Sequence, residues 1–250
     1  MKRCVMFCML AFLVVWCLNT DVMASKQRHL QGNAKFGHST HANIKVEDDN
    51  TIDVFMYAGK DVQPDNEGYD VVFMLDGNKL RNVKKIQIEA PNNKKVIFKN
   101  TFGFNSLELV ADALNSEDFQ SKFPKGDYNI KFTPNKFGNN TINLTHDFPS
   151  TPVITYPEND STDIPLTFTV EWESLSDNDI DGLWLYIQGK NSEDIDYEVA
   201  LTVSSESVSI PEGVLQPNTQ YQMGLEVYRD NDEYSSILTT RIINFTTGSE

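Results

Sequence analysis

Leu215–Tyr221, read Leu-Gln-Pro-Asn-Thr-Gln-Tyr, runs straight into the alternation Tyr221-Gln222-Met223-Gly224-Leu225-Glu226-Val227. A period of two puts Tyr221, Met223, Leu225 and Val227 on one face of a strand, and the proline-bearing turn marks where that strand begins. The same period recurs upstream, where Leu166, Phe168, Val170 and Trp172 alternate with polar residues. An opening strand near Val153-Ile154, Leu183–Ile187, Tyr197–Val203, Ser207–Ile210 and Leu238–Phe245 complete the series. Seven short strands at this spacing predict a two-layer β-sandwich over residues 150–248.

The L-x-P-x-T-x-Y run and its strand resemble the corner and sixth strand of a fibronectin type III domain. Trp172 stands where that family places its buried core tryptophan. The resemblance implies that the Tyr221 hydroxyl returns to the backbone just upstream and pins the crossover between the two sheets. The sequence has no Arg-Gly-Asp tripeptide, so integrin-type adhesion has no support.

Residues 43–149 repeat the short-strand pattern. Ile44 and Val46 alternate, as do Ile52, Val54 and Met56, and Val71–Leu75 is a continuous apolar run ending at Asp76-Gly77-Asn78, a hairpin signal. Ile86 and Ile88 follow, and Pro91-Asn92-Asn93 turns the chain into Val96-Ile97-Phe98. A helix is expected from Ser106, which can cap it, with Leu107, Val110 and Leu114 on one face. Ser116-Glu117-Asp118 restarts a short turn with Phe119 and Phe123 four apart, and Pro124-Lys125-Gly126 stops it. Strands resume through Tyr128, Ile130 and Phe132, then Ile142 and Leu144. The segment Phe123-Pro124-Lys125-Gly126-Asp127-Tyr128, with this domain order, resembles a group of exported bacterial proteins of unclear role. The expected fold class is therefore mainly all-β, with two β-sandwich domains. The first carries a short helix and the second is immunoglobulin-like, of the fibronectin type III kind.

Residues 1–24 read as a signal peptide: Lys2 and Arg3, an apolar run from Cys4 to Leu18, and small residues at Val22-Met23-Ala24. All three cysteines, Cys4, Cys8 and Cys17, fall inside it. A chain cleaved after Ala24 has no disulfides, thiolate nucleophiles or cysteine-bound metals and holds together by burial alone. Losing Lys2, Arg3 and Asp21 takes the formal charge from −15 to −16. So acidic a chain is repelled by nucleic acid and by anionic membrane surfaces. Residues 25–42, with His29, His38 and His41, lack a period and read as a loosely attached segment. His38 and His41 are either a linker pair or two ligands of a metal site that lacks a third.

Three constellations carry chemistry. Asp177-Asn178-Asp179-Ile180-Asp181-Gly182 matches the opening of a calcium loop, although Gln188 stands where the bidentate Glu belongs. The other reading is an acidic turn between strands. Arg229-Asp230-Asn231-Asp232-Glu233 is a second acidic loop, expected at the same end of the sandwich. Trp184 and Tyr186 alternate with Leu183, Leu185 and Ile187, and either face outward as a platform for sugar rings or a protein, or pack inside. No G-x-S-x-G, P-loop or dinucleotide fingerprint occurs, and His146-Asp147 points its side chains to opposite faces of a strand. These features point to an exported, non-catalytic binding, adhesion or spacer protein of the cell surface or extracellular space, with no cofactor unless calcium. Its partner is a protein or glycan, with no nucleic acid and no membrane insertion after cleavage. The alternatives are a carbohydrate-binding module and a structural subunit of a surface assembly.

Overall fold

The computed structural model describes residues 25–28, 52–190 and 195–249. The signal segment, the His38–His41 pair and the Ile44–Val46 strand lie outside them. No helix among the described residues is long and apolar enough to cross a membrane.

The first sandwich starts with a long hairpin. Strands β2 (Asp53–Gln63) and β3 (Asn66–Asp76) pair along their whole length, closed by Pro64-Asp65. Proline has no N–H to give a ladder and presets a turn φ, so the chain reverses there. Strand β6 (Ser106–Ala113) pairs with the other edge of β3, and β1 (Ser25–Arg28) pairs with β6. The opposing layer holds β4 (Lys85–Glu89), β5 (Lys95–Lys99), β7 (Gly126–Thr133) and β8 (Asn139–Leu144), in the order β5-β4-β7-β8. Alternating residues meet between the layers. Met56, Val71, Leu75 and Leu109 face Ile86, Ile130, Ile142 and Leu144, all buried in one core.

Two sequence expectations are corrected here. Ser106–Ala113 is strand, not helix. Short apolar runs carry both periods, and the open edge of β3 favours the strand. Leu107, Leu109 and Ala113 turn inward, while Leu114, expected on the apolar face, is 80 % exposed. The helix comes later, as α1 (Ser116–Lys122), capped by Asn115. Asn115 Oδ1 accepts the Asp118 N–H and Asp118 Oδ2 accepts the Leu114 N–H, each at 2.9 Å. Replacing Asn115 with Ala removes that acceptor, and urea unfolding is expected to show a loss of about 1 kcal/mol. The second correction is at Gly77. It has φ 127°, but the chain does not fold back there. It passes through a 3₁₀ turn, Leu80–Asn82, and crosses to β4 in the other layer.

The second sandwich sets β9 (Ile154–Tyr156), β11 (Thr169–Trp172) and β14 (Ser207–Ser209) in one sheet, in the order β14-β11-β9. The facing layer is β13 (Ile195–Leu201), β12 (Gly182–Gly189), β15 (Gln220–Asp232) and β16 (Ser235–Thr247), with β10 (Ser161–Ile164) alongside β16. Three strands on four in this connectivity is a fibronectin type III-like fold. Trp172 is buried and its indole N–H donates to Ser205 O at 2.8 Å. Tyr221 is buried, its ring stacks on Phe245 at 5.6 Å, and its hydroxyl accepts the Gln216 N–H at 2.8 Å. The corner contact expected from the sequence is present.

The sandwiches share a sheet. Strand β16 continues past its own layer and pairs in parallel with β2, from Ser235↔Met56 to Arg241↔Val62. The result is one nine-stranded sheet, β1-β6-β3-β2-β16-β15-β12-β13 with β10 beside β16. Ile237, on the C-terminal hairpin, is fully buried in the core of the first sandwich. This pairing lengthens β15 and β16 beyond the expected 221–227 and 238–245. Arg229–Asp232, expected in a loop, is strand.

Candidate functional site at the seam

The seam is where most of the sequence-predicted site residues converge. Asp177, Asp179 and Asp181 lie between β11 and β12. Asp177 accepts the Ser150 N–H at 2.6 Å and the Ser150 hydroxyl at 2.9 Å. Those bonds hold its carboxyl below the usual range. Asp181 accepts the Asp230 N–H at 2.8 Å. Asp179 pairs with Arg229, whose guanidinium also donates to Asp147 O. The two acidic stretches thus meet at one end of the sandwich, and each of the three carboxylates faces a different protein donor. Among the described residues, no three His, Cys, Asp or Glu side chains are grouped to hold a metal.

Arg229 supplies the positive charge at this end. It is the sole Lys or Arg between Lys190 and Arg241, a signal the sequence carried and the motif reading passed over. Its contacts, with Thr145 to Asn231 at 3.2 Å and Thr239 to Pro149 O at 2.7 Å, tie the chain joining the two sandwiches to the C-terminal hairpin. A cavity of about 130 Å³ lies at Asp177, lined also by Ser150, Glu173, Ser176 and Ile180. Pockets for drug-sized ligands are roughly 300–1,000 Å³, so this cleft is too small for one.

Trp184 and Tyr186 stand on the face of β12 opposite Leu183, Leu185 and Ile187, which belong to the second core. Trp184 is 4 % exposed and Tyr186 is half-buried. The tyrosine ring lies across β15 over Gly224, where an added Cβ would come within 2.3 Å of the ring. In the same way the Tyr228 ring covers Gly182. Aromatic rings over strand glycines replace the packing a side chain would give. Burial pushes the Tyr186 phenol well above its ordinary value, and the carboxylates of Asp61 and Glu226 add to the shift.

His146 is half-buried among aromatic rings, with the Phe119 ring at 4.9 Å in an edge contact. Its Nε2 lies 2.7 Å from Phe123 O, so Nε2 carries the proton and donates. Burial lowers its pKa, and the Lys125 ammonium lowers it further against the Phe123 bond and Asp147. The unfolded chain then binds a proton at higher pH than the folded one. Stability is full above the ordinary imidazole value and declines as pH falls from there through the lowered folded value. His146→Phe is expected to flatten that decline below the ordinary imidazole value, read by thermal melts at falling pH.

No protein-family model matches the chain, and no curated protein matches it. Solved structures similar to it are β-sandwiches. A redesigned β-sandwich protein is 27% identical over 41% of this chain and 90% of that one, with a TM-score of 0.29. The fn3 domain of human contactin 1 is 18% identical over 44% of this chain and 87% of its own, with a TM-score of 0.31. A segment of two fibronectin type III domains from chicken tenascin is 11% identical over 70% of this chain and 91% of its own, with a TM-score of 0.28.

Proposed function

We propose that this is an exported, non-catalytic binding or spacer protein of the cell surface or extracellular space, which holds two sandwiches at a fixed spacing. One observation carries the reading: the parallel pairing of β16 with β2, Ser235–Arg241 against Met56–Val62. Domains joined by a linker alone move relative to each other by default. Here the joint is a run of backbone hydrogen bonds, with Ile237 set into the neighbouring core and Arg229 clamped on Asp147 O. Such a joint transmits position, which is what a spacer or a two-part binding surface requires. The apolar start of the sequence and its small residues before Ser25 support export.

Calorimetry on the chain from Ser25 tests the joint, with small-angle scattering on the same sample. One cooperative transition and one interdomain distance support the reading. Two separated transitions, or a spread of distances, overturn it. N-terminal sequencing of protein recovered outside the cytoplasm, starting at Ser25, tests the export half.

A further inference from the structure

The chain divides its charge between its two sandwiches. Residues 150–250 hold three Lys or Arg and 19 Asp or Glu, whereas residues 79–99 hold seven Lys or Arg and one acid, Glu89. On the solvent face of the smaller sheet of the first sandwich, Lys85 of β4 stands directly opposite Lys99 of β5. Glu89 on that face is taken by Lys95 and Lys131. Like charges set directly opposite destabilise a pair of strands unless an anion meets them. At the end of β5 the chain presents an aromatic ring beside this pair. Phe102 is 68 % exposed, with its ring against Phe104 at 5.6 Å. Its loop is held firmly. The buried Asn100 donates to Leu80 O at 3.0 Å and to Phe104 O at 2.9 Å, and accepts the Phe104 N–H at 2.9 Å. A loop fixed in this way presents the ring to solvent.

The second sandwich offers a matching hollow. The cleft at Asp177 measures about 130 Å³, and Pro152, Val153, Leu175, Ile180 and Val227 supply its apolar wall. A cavity of about 150 Å³ accepts one benzene ring, so this cleft has room for a single phenyl group and little more. Its lining is also acidic, through Glu173 and Asp177. We propose that Phe102 of one copy seats in this cleft on a second copy, with Lys99 facing Glu173. The knob and the hollow lie in different sandwiches, so every copy offers both and the contact joins unlike surfaces. Aromatic anchors in desolvated pockets carry most of the energy of such contacts, and opposed charges set register and encounter rate. This assembly goes beyond the spacer reading. Because each half of the contact lies within one sandwich, it stands whether or not the joint between the sandwiches is stiff.

Sedimentation equilibrium of the chain from Ser25, at rising concentration in low and high salt, tests this. Mass is expected to rise with concentration, and less so in high salt. Phe102→Ser removes the knob and Val153→Trp blocks the mouth of the cleft. Each is expected to weaken association roughly thirtyfold or more. Both positions are exposed, so near-ultraviolet signals and melting temperature should match wild type. Lys99→Glu and Glu173→Lys are each expected to stay monomeric alone and to assemble when mixed, because the mixture restores one opposed pair. A wild-type chain that stays monomeric at millimolar concentration overturns the proposal, even if it takes up free toluene or a polyanion. So does assembly that survives Phe102→Ser or Val153→Trp unchanged, or a mixture of the two charge variants that restores nothing.

Discussion

Ile237→Ala is expected to destabilise the first sandwich by about 2–5 kcal/mol, although residue 237 belongs to the C-terminal hairpin. Its side chain is fully buried in the core formed by Met56, Val71, Leu75 and their partners, and its Cα lies opposite Ala58 of β2. Truncation leaves a cavity that backbone on both sides of the seam prevents from collapsing, which places the cost toward the upper part of that range. The measurement is urea unfolding followed by near-ultraviolet signals from both sandwiches. With a continuous sheet, the two signals move together to lower denaturant and the slope is unchanged. A shift confined to the second sandwich, or a loss below about 1 kcal/mol, means the seam does not couple the halves. Ile243→Ala is the matched control, since Ile243 lies on the same strand but inside the second core. A similar loss is expected there whether or not the seam exists.

The reach of β16 across the seam also marks where the sequence stopped being readable. Strands whose apolar residues alternate, such as 166–172 and 221–227, were plain because every second residue meets a core, although Glu226 on the other face of 221–227 is buried as well. The corner at Tyr221 was plain because its partner, Gln216, is five residues away. Arg229–Asp232 looked like a loop because its strand partner is the start of β16, and that stretch of β16 pairs in turn with β2, some 180 residues earlier in the chain. Ser235, Ser236, Thr239 and Thr240 are all buried there, as backbone pairing on both sides of a strand permits. The run 106–113 failed for another reason. Leu107, Leu109 and Val110 satisfy a helical and a strand period at once, and a missing partner at the edge of β3 decided between them. The protein partners of Asp177, Asp179 and Asp181 were hidden for want of the same long-range information. Their partners, Ser150, Arg229 and Asp230, are between 27 and 50 residues distant.

Tyr221 allows two parts of one contact to be separated, and its loss is the second large effect expected. Tyr221→Phe keeps the ring, which is 2 % exposed and stacked on Phe245, and deletes only the acceptor for the Gln216 N–H. A partly buried donor left without its partner costs about 1–3 kcal/mol unless water reaches it. Tyr221→Ala removes the ring as well. Large aromatic truncations in cores cost about 3–5 kcal/mol, so the alanine variant should fall well below the phenylalanine one in chemical denaturation. The gap between them measures packing, and the phenylalanine loss alone measures the corner bond. If Tyr221→Phe matches wild type while Tyr221→Ala is severely unstable, the ring is what secures the crossover and the hydroxyl is incidental. If both variants lose the same amount, the hydroxyl bond carries the corner and the stacked ring adds nothing beyond its position. Thr247 gives an independent check on the same corner. Its hydroxyl donates to Gln216 O at 2.6 Å and accepts the Thr219 N–H at 2.9 Å, so it braces the turn from the last strand. Combining Thr247→Val with Tyr221→Phe should cost less than the two losses summed, because both act on the one turn and the first to go frees it.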